Sequence, residues 1–408
     1  MSRADLPHRA PAAVHDYPTY RDALAGRRLP AAFVDLDCLD ANLADLKRRA
    51  RGLPIRLATK SVRSRELIGA VLAAGPFMQG LLCYSAAEAA WLADGGFEDI
   101  VVAYPTVEPD DLRAVAAQLR RGRSITLMVD DTAQVDVIDR IAHDERVTIP
   151  LAIDLDMSSA YPGLYFGMYR SPVHEAADAL ALAHRIGERQ HVRLDGLMGY
   201  EGQIAGVADT EPGSGARNAL VRHLKRRSAR EINARRHAAV QAIAAAGHAL
   251  RFVNGGGTGS IESTLGDASV TELAAGSGLY APALFDHYAA FHAQPAAGFA
   301  LPVVRIPQPG IVTCSGGGYV ASGPAGKSRL PRPWLPAGCT LIDNEGAGEV
   351  QTPVRVPRGV APAIGDPILF RHAKAGELCE RFNTLLLIRG GRVVGEAPTY
   401  RGEGKSFF

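Results

Sequence analysis

The sequence predicts an α/β protein: a closed (β/α)8 barrel of the TIM type, followed by a second, mainly β C-terminal domain. Three observations carry this. From residue 53 onward, eight short apolar runs recur. Alanine- and leucine-rich stretches with amphipathic spacing, such as SAAEAAWLADGG and SPVHEAADALALAHRIGERQ, lie between most of them. After about residue 290 the texture changes, as Pro, Gly and Val rise and strand-like runs follow one another closely. Continuous apolar strands separated by helices mean a parallel sheet covered on its faces. Eight such units in succession suit a closed barrel better than an open doubly wound sheet.

The elements follow in order. AAFVDLD (31–37) is an extra strand ahead of the barrel. The barrel runs are IRLATK (55–60), GLLCYS (80–85), DIVVAYP (99–105), SITLMVD (124–130), PLAIDLD (150–156), RLDGLMGYE (193–201), RFVNGGG (251–257) and ELAAGSGLY (272–280). The connection from the seventh to the eighth, 258–271, is short for a full helix. The connection from the sixth to the seventh is long and carries RNALVRHLKRRSAREINARR, which reads as a solvated or subunit-facing helix. The tail runs IVTCSGGGYV, TLIDNEGAGEVQTPV, DPILFRH and TLLLIRGGRVVG read as hairpins, and AAFVDLD can pair into them. The expected division is a barrel over 38–290, with 1–37 and 291–408 forming the β-rich domain.

Bulk properties narrow the function. At 408 residues the chain can bury one large core and a smaller one. A formal net charge of +2 gives no field for nucleic acid or an anionic membrane. No run approaches the ~18–20 apolar residues of a membrane span. The start, MSRADLPHRAPAAVHDY, lacks the apolar stretch of a signal peptide. Five cysteines (Cys38, Cys83, Cys314, Cys339, Cys379) are dispersed without a C-x-x-C pair, which suits a reducing cytoplasm.

Barrel enzymes place reactive groups at the C-terminal ends of their strands, where the βα loops converge. Lys60 ends the first strand. Tyr200 and Gln203, in GYEGQ, end the sixth. The run NGGGTGS, with Gly256, Gly257, Thr258 and Gly259, ends the seventh, and Ser277 follows the eighth. Glycines let backbone N–H groups approach an anion, and the loops after strands seven and eight are a common phosphate site in this fold. A lysine at a strand end is ordinarily a solvated strand end, and a glycine run is ordinarily a tight turn. Together, a phosphate anchor opposite a barrel lysine suits a cofactor held as a Schiff base, pyridoxal 5'-phosphate.

On PAAFVDLDCLDANL, ATKS around Lys60, GLMGYEGQ, NGGGTGS and ELAAGSGLY, the chain resembles the fold-type III pyridoxal-phosphate enzymes, in the D-threonine aldolase and D-serine dehydratase branch related to alanine racemase. The resemblance implies that Lys60 carries the cofactor, that residues 256–259 and Ser277 hold its phosphate, and that Tyr200 lies near its ring. It also implies a homodimer whose β-rich domain completes the active site, and an amino acid as the small-molecule substrate. Two departures stand out. The family's arginine after the fifth strand is replaced by Tyr161 in DMSSAYPG, with Arg170 and Arg56 as candidate substitutes. The family's C-terminal metal pair, His-x-Asp or His-x-Cys followed by an asparagine, is replaced by Glu377 and Cys379 with Asn383 in HAKAGELCERFN. His372 is close enough in sequence to join them around Zn, Mn or Mg; a buried cysteine with a surface Glu and His is the alternative. The implied reaction is retro-aldol cleavage or dehydration of a D-β-hydroxy amino acid, with amino-acid racemisation as the alternative.

Overall fold

Each of the eight apolar runs becomes a strand because its side chains have core on both faces. They are β1 (Ile55–Ala58), β2 (Met78–Cys83), β3 (Ile100–Val102), β4 (Ile125–Val129), β5 (Ile149–Asp154), β6 (Val192–Gly199), β7 (Phe252–Gly255) and β8 (Glu272–Ala275). The computed structural model describes residues 15–407, so nearly all of the N-terminal run MSRADLPHRAPAAVHDY lies outside the described residues. The strands are parallel and form one closed barrel in chain order, with β8 returning to β1 through the pairs Leu273–Ile55 and Ala275–Leu57. Val101, Met128, Ala152, Met198 and Phe252 fill part of its buried core.

An ionic ring occupies the barrel toward the N-terminal ends of the strands. Arg56, fully buried on β1, donates to both oxygens of Glu272 at 2.7 and 2.8 Å and to Asp99 Oδ2 at 3.1 Å. Arg251 donates to Asp99 Oδ1 at 2.9 Å and to Asp195 Oδ2 at 2.7 Å, and Thr126 Oγ1 also donates to Asp195. Gly80 permits this ring. Its φ is +66°, and a Cβ there would lie 2.4 Å from Arg56 Nη1.

The connection from β7 to β8 holds only the short helix Ile261–Thr264, as its length predicts. The connection from β6 to β7 holds the helix Gly215–Ala245. One stripe of that helix is buried: Asn218, Val221, Ser228, Ile232, Arg236, Ala239 and Ile243. These positions recur every three or four residues, the spacing of one helical face. Arg236 thus lies on the inner face of a helix whose sequence reads as a solvated basic run.

The chain divides into two compact units. The barrel unit comprises 46–60, 68–276 and 406–408; the β-rich unit comprises the chain up to Asp45, 61–67 and 277–405. In the β-rich unit, strand Ala31–Asp35 pairs antiparallel with Ala297–Gln308 and parallel with Thr384–Arg389, so AAFVDLD does pair into the tail sheet. Tyr20, Phe33, Ala300, Leu369 and Ile388 are among its core. All five cysteines are buried and outside any disulfide, and no helix among the described residues is long and apolar enough to cross a membrane.

Candidate active site

Lys60 lies in a 3₁₀ turn, Thr59–Ser61, directly after β1. Its Nζ donates to Tyr104 Oη at 3.2 Å. Tyr104 stands just beyond β3 and Tyr200 just beyond β6, at the C-terminal ends of their strands. The guanidinium of Arg170 lies 5.5 Å from the centre of the Tyr104 ring and 5.4 Å from that of Tyr200. Burial pushes the Tyr104 phenol up, but the charges of Lys60 and Arg170 outweigh it and hold the group below the usual tyrosine range. Tyr200 has no such cation in hydrogen-bond contact, and burial pushes it up to about 12.

The glycine run after β7 is built on a buried ionic scaffold. Gly256 has φ +87°, which favours glycine. Its N–H donates to Glu201 Oε2 at 2.8 Å. Glu201 Oε1 accepts from Arg236 Nη1 at 2.6 Å, and Arg236 Nε donates to Asp267 Oδ2 at 2.7 Å. Ser260 and Thr264 hydroxyls also donate to Glu201. A Cβ on Gly257 would lie 3.1 Å from the Tyr200 ring and 3.2 Å from Ala205, so only glycine lets the backbone pass this close. Among the described residues, the N–H groups of Gly257 and Gly259 have no acceptor, although Gly259 is buried. A buried backbone donor without a partner is rare, and an anionic ligand would satisfy it. The Thr258 carbonyl accepts from Arg49 Nη2 at 2.6 Å. Ser277 opens the helix Ser277–Tyr280 of the β-rich unit. Gln203 is buried and donates to the Met157 carbonyl at 2.5 Å and to Ser228 Oγ at 3.0 Å, so its present role is to fix the chain after β5.

A cleft beside these groups is lined by Asp154, Asp156, Ser158, Arg170, Tyr200 and Gln203, among others. Asp154, the last residue of β5, is held up at about 7 by burial and by the negative charge of Asp130. An acid whose native pKa lies above its ordinary 3.8 loses stability as pH rises from that value through about 7. Asp154→Asn is therefore expected to match the wild type near pH 4 and to unfold at higher temperature or denaturant above pH 7. Each pH unit of displacement is worth ~1.4 kcal/mol. Equal stability curves across that range would contradict this.

The two departures from the family pattern have structural outcomes. Tyr161 lies in a hairpin, Ser159–Tyr161 with Leu164–Phe166, and its ring sits 4.4 Å from the guanidinium of Arg227 on the long helix. Arg170, where the chain leaves that hairpin, is the arginine placed over the two tyrosines. Arg56 belongs to the ionic ring at the other end of the barrel and does not substitute. In the tail, Glu377 accepts from Ser322 N at 2.9 Å, Cys379 Sγ donates to the Val62 carbonyl at 3.3 Å, and the His372 ring Nδ1 bonds the Ala297 carbonyl at 3.1 Å. Burial pushes the Cys379 thiol up to about 12 and, with the Arg371 charge, pushes His372 down to about 3. These three do not converge as a ligand set. Among the described residues, the group of three whose donor atoms do lie within 4.8 Å of one another is His15, Asp35 and Asp37.

Tyr104, Asp154, Glu201 and Arg236 escape the sequence reading. Glu201 lies inside the GYEGQ run that flags Tyr200 and Gln203. Arg236 keeps the four-residue spacing of Ser228 and Ile232, a signal that could have singled it out.

Comparison with known proteins adds the family. A 3-hydroxy-D-aspartate aldolase of Paracoccus denitrificans is 25% identical over 250 residues, 61% of this chain and 59% of that protein. A D-threonine aldolase of an Arthrobacter species is 27% identical over 263 residues, 63% of this chain and 62% of that protein. The chain thus spans about three-fifths of the length of the curated relatives it matches. Among solved structures, the D-threonine aldolase from Filomicrobium marinum superposes with a TM-score of 0.79 at 20% identity, covering 92% of this chain and 95% of that one. The D-threo-3-hydroxyaspartate dehydratase from Delftia sp. HT23 gives 0.70 at 20% identity, over 92% and 98%. With residues 34–283 matching the alanine racemase N-terminal domain, on the same barrel and strand-end groups, the chain belongs to that family.

Proposed function

We propose that the protein is a pyridoxal-phosphate-dependent lyase of D-β-hydroxy amino acids. The observation that carries this is the placement of Lys60, hydrogen-bonded to Tyr104, and of a glycine cradle with unpaired N–H groups at the same end of one closed barrel. The chain's residues fit the cofactor. Gly257, Thr258, Gly259 and Ser277 would hold its phosphate, Lys60 would carry it covalently, and Tyr200 and Gln203 would border it. When bound, it supplies an electron sink at the substrate's Cα. Arg170 and Tyr104 hold charge and proton beside Lys60, and half-buried Tyr200 narrows the access of water. The names of the two curated relatives, both aldolases, support β-hydroxy chemistry. A divalent metal does not fit Glu377, Cys379 and His372 as they stand.

On this reading 38–290 carry the cofactor, while 1–37 with 291–408 contribute to the active site. The enzyme is a cytoplasmic homodimer. Five dispersed cysteines without a disulfide support the compartment, and family membership supports the assembly. Incubation with D-threonine, D-serine and D-alanine tests the activity. Aldehyde or keto acid from the hydroxy amino acids is expected. Optical inversion of alanine without either product would instead make the protein a racemase.

A further inference from the structure

We propose that Tyr104 is the proton acceptor for Lys60, taking the proton that the amine sheds when it captures the cofactor's carbonyl, and that Arg170 is the positioning residue that keeps the phenol oxygen ready for it. The inference deepens the reading of Lys60 as the cofactor lysine and rests on it.

The geometry is specific. Tyr104 Oη is in hydrogen-bond contact with Nζ at 3.2 Å, on a strand end facing the same mouth. Carbon–nitrogen bond formation requires a lone pair on Nζ. With Tyr104 as its phenolate, one proton leaves Nζ for Oη, the freed pair attacks the carbonyl carbon, and the carbonyl oxygen departs as water with the two hydrogens left on Nζ. Nothing is oxidised or reduced. Reversal of the same transfer returns the proton when Lys60 is released by a substrate amine.

The charged and titratable groups that face Tyr104 are Lys60 from the end of β1, Arg170 from the hairpin exit and Tyr200 from the end of β6. Both tyrosines lie beside Arg170, and burial disfavours both phenolates. Only Tyr104 also meets the ammonium of Lys60, and only Tyr104 is lowered. Behind Arg170 stands Asp154, near Asp130 and Asp156. Asp154 is held up at about 7, so its own carboxyl adds negative charge beside Arg170 mainly above that pH.

Two measurements on the whole 408-residue chain test this. Ultraviolet titration of cofactor-free protein is expected to show one phenolate forming below the ordinary tyrosine value of ~10. That step should vanish in Tyr104→Phe and move to higher pH in Arg170→Met. Cofactor capture at Lys60, followed by absorbance and by borohydride peptide mapping, should slow roughly 10²-fold in Tyr104→Phe, the lower end for loss of a positioned acid–base group. Circular dichroism of each variant establishes that it folds, and Arg170→Met with its phenol intact decides the case if Tyr104→Phe does not. An unchanged phenolate step in either variant overturns the inference, as does capture by Tyr104→Phe at the wild-type rate. Wild-type protein that takes up no cofactor at Lys60 overturns the parent reading as well, which separates the two failures.

Discussion

Replacing Lys60 with alanine is expected to abolish covalent attachment of the cofactor and to lower turnover by at least ~10³-fold, the scale on which removal of a covalent catalyst is felt. The fold should survive. Lys60 is half-buried in a 3₁₀ turn, its Nζ bonds the Tyr104 phenol, and alanine fits that turn without strain. Peptide mapping after borohydride reduction provides the check. Wild type should carry the reduced adduct on the peptide containing residue 60, and Lys60→Ala should carry none. An adduct on another lysine in the wild type would sink the assignment, whatever the activity of the variant.

The second large effect is on stability. Arg236→Ala is expected to cost about 3–5 kcal/mol, the range for breaking a buried ion pair from one side. Arg236, Glu201 and Asp267 all have essentially no solvent exposure at their side chains. Burial alone would lower the guanidinium's pKa, but the two carboxylates outweigh it and raise it. Removing the arginine leaves both carboxylates in low dielectric with neutral donors alone, three on Glu201 (Gly256 N, Ser260 and Thr264 hydroxyls) and two on Asp267, both from Ser269. Denaturant unfolding should show the loss, and cofactor affinity should fall with it because Glu201 also holds Gly256. An Arg236→Met, Glu201→Gln, Asp267→Asn triple variant should regain most of the stability, since a neutral set leaves no charge stranded. A triple variant no more stable than Arg236→Ala would show that the cost comes from lost packing, not from unpaired charge.

Much of the fold is legible in the sequence because the barrel strands are apolar on both faces and stand out as short continuous runs. The bounds drift where the run and the ladder differ. β2 begins at Met78, ahead of GLLCYS, because pairing with β1 starts at Ile55–Met78. The site is legible where a residue type is unusual for its place, as with a lysine or a glycine run at a strand end. It is hidden where the type is ordinary. Tyr104 reads as one more aromatic after IVVA, and Asp154 as a polar strand terminus. Their roles depend on Arg170, which lies 66 and 16 residues further along the chain and meets them only through the hairpin after β5. Arg236 is hidden for the opposite reason, as one arginine within a stretch of many.

The ionic ring beneath the barrel has a consequence for how the protein ages in acid. Burial pushes the carboxyls of Asp99 and Asp195 up, but their arginine partners outweigh it and hold both below the usual range. The stabilisation they give is present above their unfolded values and fades as pH falls through the native ones. Acid thus loosens the strand starts first, while the groups assigned to chemistry sit at the strand finishes. Endurance at low pH and reactivity at neutral pH can be engineered as separate properties of one barrel, each from its own rim.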